Sequence, residues 1–299
     1  MSTIDFQNIP LGKHTTYAEK YDKKLLFRIP RSENRAQYEI AEENLPFVGF
    51  DSWNCYELSF QTDNGLPVTR VMKMVYPSDS KYIVVSKSLK LYLNSFNMDR
   101  FGKTKSEAEN TVSSIVKKDL SELLETTVQL SLFTENSVSQ APFSTYTQVD
   151  ICDLIPIEVQ EKMEFLHFKE SPNLLKCSLS DRLQEYKFRS DLLRSNCRVT
   201  NQPDWGDLFV YIQSKYTIDL SSVLEYLISF RKENHFHEEV VEMIYKRCLD
   251  IFKPENLMVA AMYTRRGGID INPIRATNIG LIDRVMIDPH CRMEKTLRQ

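Results

Sequence analysis

The sequence predicts an α+β protein in which antiparallel sheets are backed by helices, and two observations carry that prediction. Strand-like alternation broken by turn residues begins at Cys55 to Phe60 and Leu66 to Tyr76, around Thr62-Asp63-Asn64-Gly65, where Asn-Gly is a strong hairpin signal. Helical spacing follows the hairpin, and the order hairpin, helix, strand occurs twice. A duplicated α+β unit accounts for the repeat, one half in residues 1–147 and the other in 148–299. With 299 residues and 42% hydrophobic content, the chain can fill two ordinary cores.

The first fifty residues are polar and punctuated by Pro10, Pro30 and Pro46, which predicts an extended arm lying over a core. After the first hairpin, the stretch from Lys81 to Tyr92 holds three lysines. From Thr104 to Thr126, Val112, Ile115, Val116, Leu120, Leu123 and Leu124 stand at helical spacing, with Thr104 or Ser106 as N-cap. Val128 to Phe133 alternates as a strand. Ser137 to Ser144 and Pro156 to Pro172 are irregular and rich in turn formers, and the boundary between halves falls within Thr145 to Asp150. The second half has strands at Tyr186 to Thr200 and Leu208 to Tyr216, helices at Ser221 to Phe230 and His237 to Phe252, and a strand at Leu257 to Thr264. Asn54-Cys55 and Asn196-Cys197 occupy corresponding places in the two halves. Thr62 stands seven after Cys55 where Asp204 stands seven after Cys197, so only the second half carries a thiol and a carboxylate together.

The net charge of -3 supplies no global basic field for nucleic acid, so if nucleic-acid chemistry is involved the expected ligand is a small base or nucleotide. Six cysteines stand without a C-x-x-C pair, which signals neither a zinc site nor a redox dithiol. Met1 to Asp5 has no basic or apolar leader character, and no apolar run reaches the roughly eighteen residues of a membrane span. A cytoplasmic protein with free thiols and no membrane partner is the expectation. Neither G-x-G-x-x-G nor a P-loop occurs.

Three stretches are candidates for chemistry. Between two strands, Ser195 to Gly206 places Cys197 seven residues before Asp204, and Asn201-Gln202-Pro203-Asp204 carries turn chemistry that would fold the carboxylate back towards the thiol. One reading makes Cys197 a nucleophile and Asp204 its proton donor, with the Asp204 carboxyl raised by an apolar pocket beside Trp205. The other makes them a small buried hydrophobe and a turn former, and spacing does not decide between them. His235-Phe236-His237-Glu238-Glu239 opens an apolar-periodic helix, where acidic residues suit the first turn. Residues two apart do not share a helix face, so no metal site is expected; a base-binding carboxylate beside a proton-handling histidine is the sharper use. Tyr263-Thr264-Arg265-Arg266-Gly267-Gly268 suits a phosphate, and surface solvation is an equally good account.

These stretches, taken with Ser86-Lys87-Ser88-Leu89-Lys90-Leu91-Tyr92-Leu93-Asn94-Ser95-Phe96, closely resemble the family of NADPH-dependent 7-cyano-7-deazaguanine reductases in its long two-domain form. The resemblance runs from Leu11-Gly12-Lys13 through Pro30-Arg31-Ser32 and Asn44-Leu45-Pro46-Phe47 to Asp270-Ile271-Asn272-Pro273. It implies tandem tunnelling-fold (T-fold) units, a homodimer, and reduction of a nitrile to an aminomethyl group on the route to the tRNA base queuosine. Two NADPH are consumed per turnover. By the same resemblance Cys197 forms a covalent thioimide with the nitrile, Asp204 protonates nitrogen, and His237 serves both catalysis and substrate binding. Val84, Val85, Ser86 and Glu238 complete the substrate site, and Ser86, Lys87, Arg266 and Gly267 contact the dinucleotide. One departure stands out: the family pattern has a glutamate where this chain has Val85, which leaves Glu238 to carry more of the recognition. A purine or pterin hydrolase of the same fold and a non-catalytic base-binding protein are the alternative readings.

Overall fold

A computed structural model describes residues 18, 20–146 and 150–299. Leu11-Gly12-Lys13 and the junction at 147/148 lie outside the described residues. In chain order the elements are β1 (Arg28–Pro30), α1 (Ser32–Arg35), β2 (Val48–Gln61), β3 (Pro67–Pro77), β4 (Tyr82–Val84), α2 (Ser86–Asn94), α3 (Lys105–Leu124), β5 (Gln129–Phe133) and β6 (Ser139–Gln140). There follow α4 (Ile157–Gln160), β7 (Cys177–Cys197), β8 (Pro203–Ile218), α5 (Leu220–Ser229), β9 (Asn234–His235), α6 (His237–Phe252), β10 (Asn256–Tyr263), β11 (Ile269–Ala276), α7 (Arg284–Ile287) and β12 (Arg292–Met293). The fold is α+β.

An eight-stranded sheet in the order β5-β3-β2-β11-β10-β8-β7-β9 runs through both halves, antiparallel throughout except for the short β9 beside β7. Helices α2 and α3 cover β2 and β3 through a core that includes Trp53, Met72, Leu89, Val112 and Leu120. Thr104 caps α3: its hydroxyl accepts from the Glu107 N–H while the Glu107 side chain reaches back, a reciprocal box worth about 1 kcal/mol. In the second half α5 and α6 close a larger core with Leu208, Val210 and Ile212 of β8 and Val259 and Ala261 of β10. On the opposite sheet face, Phe209, Met258, Ala260 and Met262 are covered by Phe143, Tyr146, Ile282 and Met286. Alternate residues of β8 and β10 thus enter two different cores, as the period of a strand requires.

Three elements differ from the sequence expectation. Residues 20–47 hold β1 and α1 rather than only an extended arm, and they drive Arg31 and Arg35 into the interior. Strand β7 starts at Cys177, because the β7–β8 hairpin pairs as far out as Cys177 with Ile218, across two register shifts. Strand β11 was not foreseen, although Ile269, Ile271 and Ile274 mark it. Pro273 breaks its pattern, yet β11 is central, paired with β2 over its whole length.

Pro273 also shapes the molecule. Strands β10 and β11 pair only over Met258 to Ala260 and Ile274 to Ala276. Proline has no N–H to donate, so the ladder stops there and the strands part towards Tyr263 and Ile271. Gln299 fits between them, donating from Nε2 to the Tyr263 carbonyl at 3.1 Å and to Asn272 Oδ1 at 2.8 Å.

Candidate active site

Beside this parting of strands a cavity of about 280 Å³ is lined from both halves. Trp53, Ile269 and Ile271 come from β2 and β11; Val84, Val85, Ser86, Lys87 and Lys90 come from β4 and α2. The β7–β8 hairpin supplies Cys197 and Asp204, the start of α6 supplies His237 and Glu238, and the β10–β11 connection supplies Arg266 and Gly267. Every residue singled out in the sequence for catalysis, substrate or dinucleotide lines this one cavity.

Hairpin register explains how thiol and carboxylate meet. Ser195 pairs with Asp204, and paired residues share a sheet face; Cys197, two further along β7, returns to that face. The turn between them is held by the Cys197 N–H donating to Gln202 O at 2.8 Å and by Asn201 in the left-handed region, at φ 55°. Asparagine is among the few residues that tolerate that conformation. Cys197 is 8% exposed. Burial pushes its thiol up, but hydrogen bonds from the Thr200 hydroxyl and from the Thr200 and Val199 N–H groups, with the Arg266 charge, outweigh it and leave the thiol below its ordinary value. The buried Cys55 and Cys248, by contrast, are pushed up with no such donors.

Asp204 is not set in an apolar pocket beside Trp205. Neighbouring strand residues face opposite ways, and the Trp205 ring instead lies under the guanidinium groups of Arg231 and Arg298. Asp204 Oδ2 is 3.3 Å from His237 Nε2, and Oδ1 is 2.8 Å from Arg266 Nη1. The Arg266 approach lies off the N–H axis, so Nη1 makes an ion pair there without a hydrogen bond.

His237 and Glu238 open α6. The Phe236 N–H bonds Glu239 Oε2 at 3.1 Å, fixing the helix start, and the His237 ring stacks on Tyr263. Glu238 is buried and its Oε1 has no partner, which is costly unless a ligand supplies a donor. Burial raises its carboxyl to about 8; the charge of Asp51 adds to this, and Arg31 and Arg275 moderate it. Those charges belong to a buried layer in which Arg275 meets Asp51 at 2.9 Å and Glu242 at 2.8 Å, Arg35 meets Glu242 at 2.8 Å, and Arg31 pairs with Asp51. The arginine and carboxylate charges satisfy one another there, whereas Glu238 Oε1 is left for the cavity.

His235 is held for structure. Its Nε2 lies 3.0 Å from Glu233 and its Nδ1 3.2 Å from Glu239; burial lowers its basicity, but the two carboxylates prevail and lift it to about 9. Val85 joins Ile29, Ile83 and Phe236 in a small apolar cluster. Its N–H already donates to Phe27 O at 2.9 Å and its carbonyl accepts from Leu89 and Ser88, so the Val85 backbone has no free group for a substrate.

The rim by α2 fits the anionic part of a dinucleotide. Lys87, Lys90 and Arg266 converge there, and the first N–H groups of α2 have no side-chain cap from Val85. Gly267 and Gly268 adopt φ 61° and 75°, and a Cβ on Gly268 would lie 2.3 Å from Glu57 Cδ, so the turn that presents Arg266 requires glycine. Trp53 was missed in the sequence. Its place in an alternating strand gave only a packing signal.

Residues 17–132 match the family described as nitrile reductase, 7-cyano-7-deazaguanine-reductase N-term, and residues 203–279 match the family described as QueF-like protein. The chain is 39% identical over 283 residues to the NADPH-dependent 7-cyano-7-deazaguanine reductase of Colwellia psychrerythraea, covering 93% of this chain and 94% of that one. It is 39% identical over 273 residues to the protein of the same name from Cupriavidus necator, and 40% identical over 273 residues to that of Cupriavidus metallidurans; each alignment covers 90% of this chain and 93% of the relative. Similarity of this extent, running through both halves, places the chain in the family of NADPH-dependent 7-cyano-7-deazaguanine reductases.

Proposed function

We propose that this protein reduces the nitrile of 7-cyano-7-deazaguanine to the aminomethyl group at the expense of two NADPH, on the route to the queuosine base of tRNA. The observation that carries the reading is the meeting of an acidified thiol, Cys197, and a carboxylate, Asp204, in a cavity whose other wall holds the unpartnered Glu238 Oε1. Glu238 accepts from the N–H groups of the base and turns the nitrile towards the hairpin. Cys197 Sγ adds to the nitrile carbon: the C–S bond forms, one C–N π bond breaks, and the nitrogen takes a proton from Asp204, giving a thioimide. His237 Nε2, 3.3 Å from Asp204, returns the proton. When bound, NADPH supplies hydride to that carbon, two in succession, four electrons in all. Between them the nitrogen takes a second proton by the same route, the C–S bond breaks, and Cys197, which attacked as thiolate, leaves as thiolate, stabilised by the Thr200 and Val199 donors and by Arg266. Lys87, Lys90, Arg266 and the start of α2 hold the dinucleotide phosphates, and the apolar Val84, Val85 and Ile271 exclude water.

The reading extends to tandem T-fold halves, 1–147 and 148–299, assembled as a homodimer in the cytoplasm. Its support is the repeated order of hairpin, helices and strand, and light scattering of the purified chain tests the dimer. Mixing protein, nitrile and NADPH tests the activity. Loss of nicotinamide absorbance and a covalent adduct by intact mass are expected; neither appearing would sink the reductase reading.

A further inference from the structure

Among the described residues, four polar atoms on residues lining the cavity are buried without a hydrogen-bond partner: Glu238 Oε1, His237 Nδ1, Arg266 Nη1, which is ion-paired with Asp204, and Trp53 Nε1. The proposed reaction accounts for the first three residues and leaves Trp53 unused. Trp53 lies in the middle of β2, paired with Met74 on one side and Ile271 on the other, and is 1% exposed. Ile271 and Ile269 carry the cavity wall down to it. An indole N–H can only donate, and phenylalanine would fill most of the same core without leaving a buried donor unmet.

A donor and an acceptor, each unpartnered, on the wall of one cavity describe the ligand edge that would satisfy both. A guanine-type base presents such an edge, with the ring carbonyl at position 6 as acceptor beside the N1–H donor. We infer that Trp53 is a base-recognition residue whose Nε1–H donates to the 6-oxo group while Glu238 accepts from the neighbouring N–H groups. The inference rests on the substrate class proposed above. It makes Trp53 a specificity determinant: a 6-amino base would turn a donor towards the indole donor and leave both unmet.

The test uses the full chain, 7-cyano-7-deazaguanine, and its analogue lacking the 6-oxo oxygen. By calorimetry without NADPH, Trp53→Phe is expected to weaken binding of the oxo compound roughly tenfold, as loss of one buried hydrogen bond predicts. It should leave binding of the deoxo analogue unchanged, and the KM of the nitrile should rise while kcat holds. Equal weakening of both compounds, or of neither, would make Trp53 a packing residue and overturn the inference. A second arm avoids any change at the buried site. The chain has two tryptophans, so Trp205→Phe leaves Trp53 as the sole indole. Its emission should shift on adding the oxo compound and not on adding the deoxo one; identical responses count against the hydrogen bond. Base binding without NADPH consumption would overturn the reductase reading alone, and absence of base binding to the unaltered protein would overturn both.

Discussion

The His237 ring lies face to face with Tyr263, centroids 3.9 Å apart and planes 7° from parallel, and its Nε2 points at Asp204 Oδ2, 3.3 Å away. A strand residue thus fixes the rotamer of the first residue of a helix, and that rotamer aims a proton carrier at a carboxylate on another strand. In the reaction proposed above, this pair delivers the proton to nitrogen. Asp204→Asn is expected to slow reduction more than tenfold, as removal of a positioned proton donor contributing ~10²-fold does. Tyr263→Leu removes the stacking surface and leaves the carboxylate, so it should lower kcat by less while leaving adduct formation detectable. An Asp204→Asn rate equal to wild type, followed by nicotinamide absorbance, would move the proton donor elsewhere.

The thiol yields a separate prediction. Cys197→Ala should abolish the covalent adduct while binding of the base remains measurable, because Glu238 and the cavity walls are untouched. The Thr200 hydroxyl is among the groups that lower the thiol, and Thr200→Val deletes it while keeping the shape. The pH at which the adduct forms at half its maximal rate should therefore move upward in Thr200→Val. An unmoved profile would mean that the backbone donors and Arg266 suffice.

Local pattern made the chemistry-bearing stretches legible. Cys197 and Asp204 stood out because turn residues separate two alternating runs, and His237 and Glu238 because acidic residues open an amphipathic helix. What escaped the sequence depends on partners distant along the chain. Strand β11 was hidden by Pro273, and its central place comes only from pairing with β2, more than two hundred residues earlier. The neighbours of Asp204 were misjudged for the same reason: Trp205 is adjacent in sequence but faces away, while His237 and Arg266 arrive from other elements. Arg31 and Arg35 fell in a polar stretch read as an extended arm lying over a core, and only the fold shows them facing Asp51 and Glu242.

Glu238 ties stability and binding to pH in opposite directions. Its carboxyl stands at about 8 in the fold against 4.5 for an ordinary glutamate. Between those values the folded state keeps a proton that the unfolded chain has lost, so this group's contribution is whole below 4.5 and is lost as pH rises to 8. Glu238→Gln removes the titration. Its urea midpoint should gain on wild type as pH rises through that window, and parallel curves would disprove the linkage. Affinity for the base runs the other way, since the ionised carboxylate is the better acceptor for N–H groups. Wild-type affinity should climb towards pH 8, while Glu238→Gln stays weak and flat.

The turn that carries Arg266 predicts an effect on the dinucleotide that spares binding of the base. Gly268 sits at φ 75°, its carbonyl accepts the Tyr56 N–H at 2.8 Å, and an added Cβ would strike Glu57, whose carboxylate holds Lys90 at 2.9 Å. Gly268→Ala therefore strains the backbone and displaces the side chain that positions Lys90, by a cost of order 1–2 kcal/mol from the left-handed conformation alone. Both consequences fall on the cationic rim, and through Arg266 on the Cys197 thiol, rather than on Glu238. The KM for NADPH should rise severalfold with the Kd of the base little changed. Lys87→Ala should act in the same sense with the backbone intact, and its effect should shrink as salt screens the phosphate charge. Steady-state kinetics at two ionic strengths separate the cases: a salt-independent loss in Lys87→Ala, or a weaker base Kd in Gly268→Ala, would place the dinucleotide elsewhere.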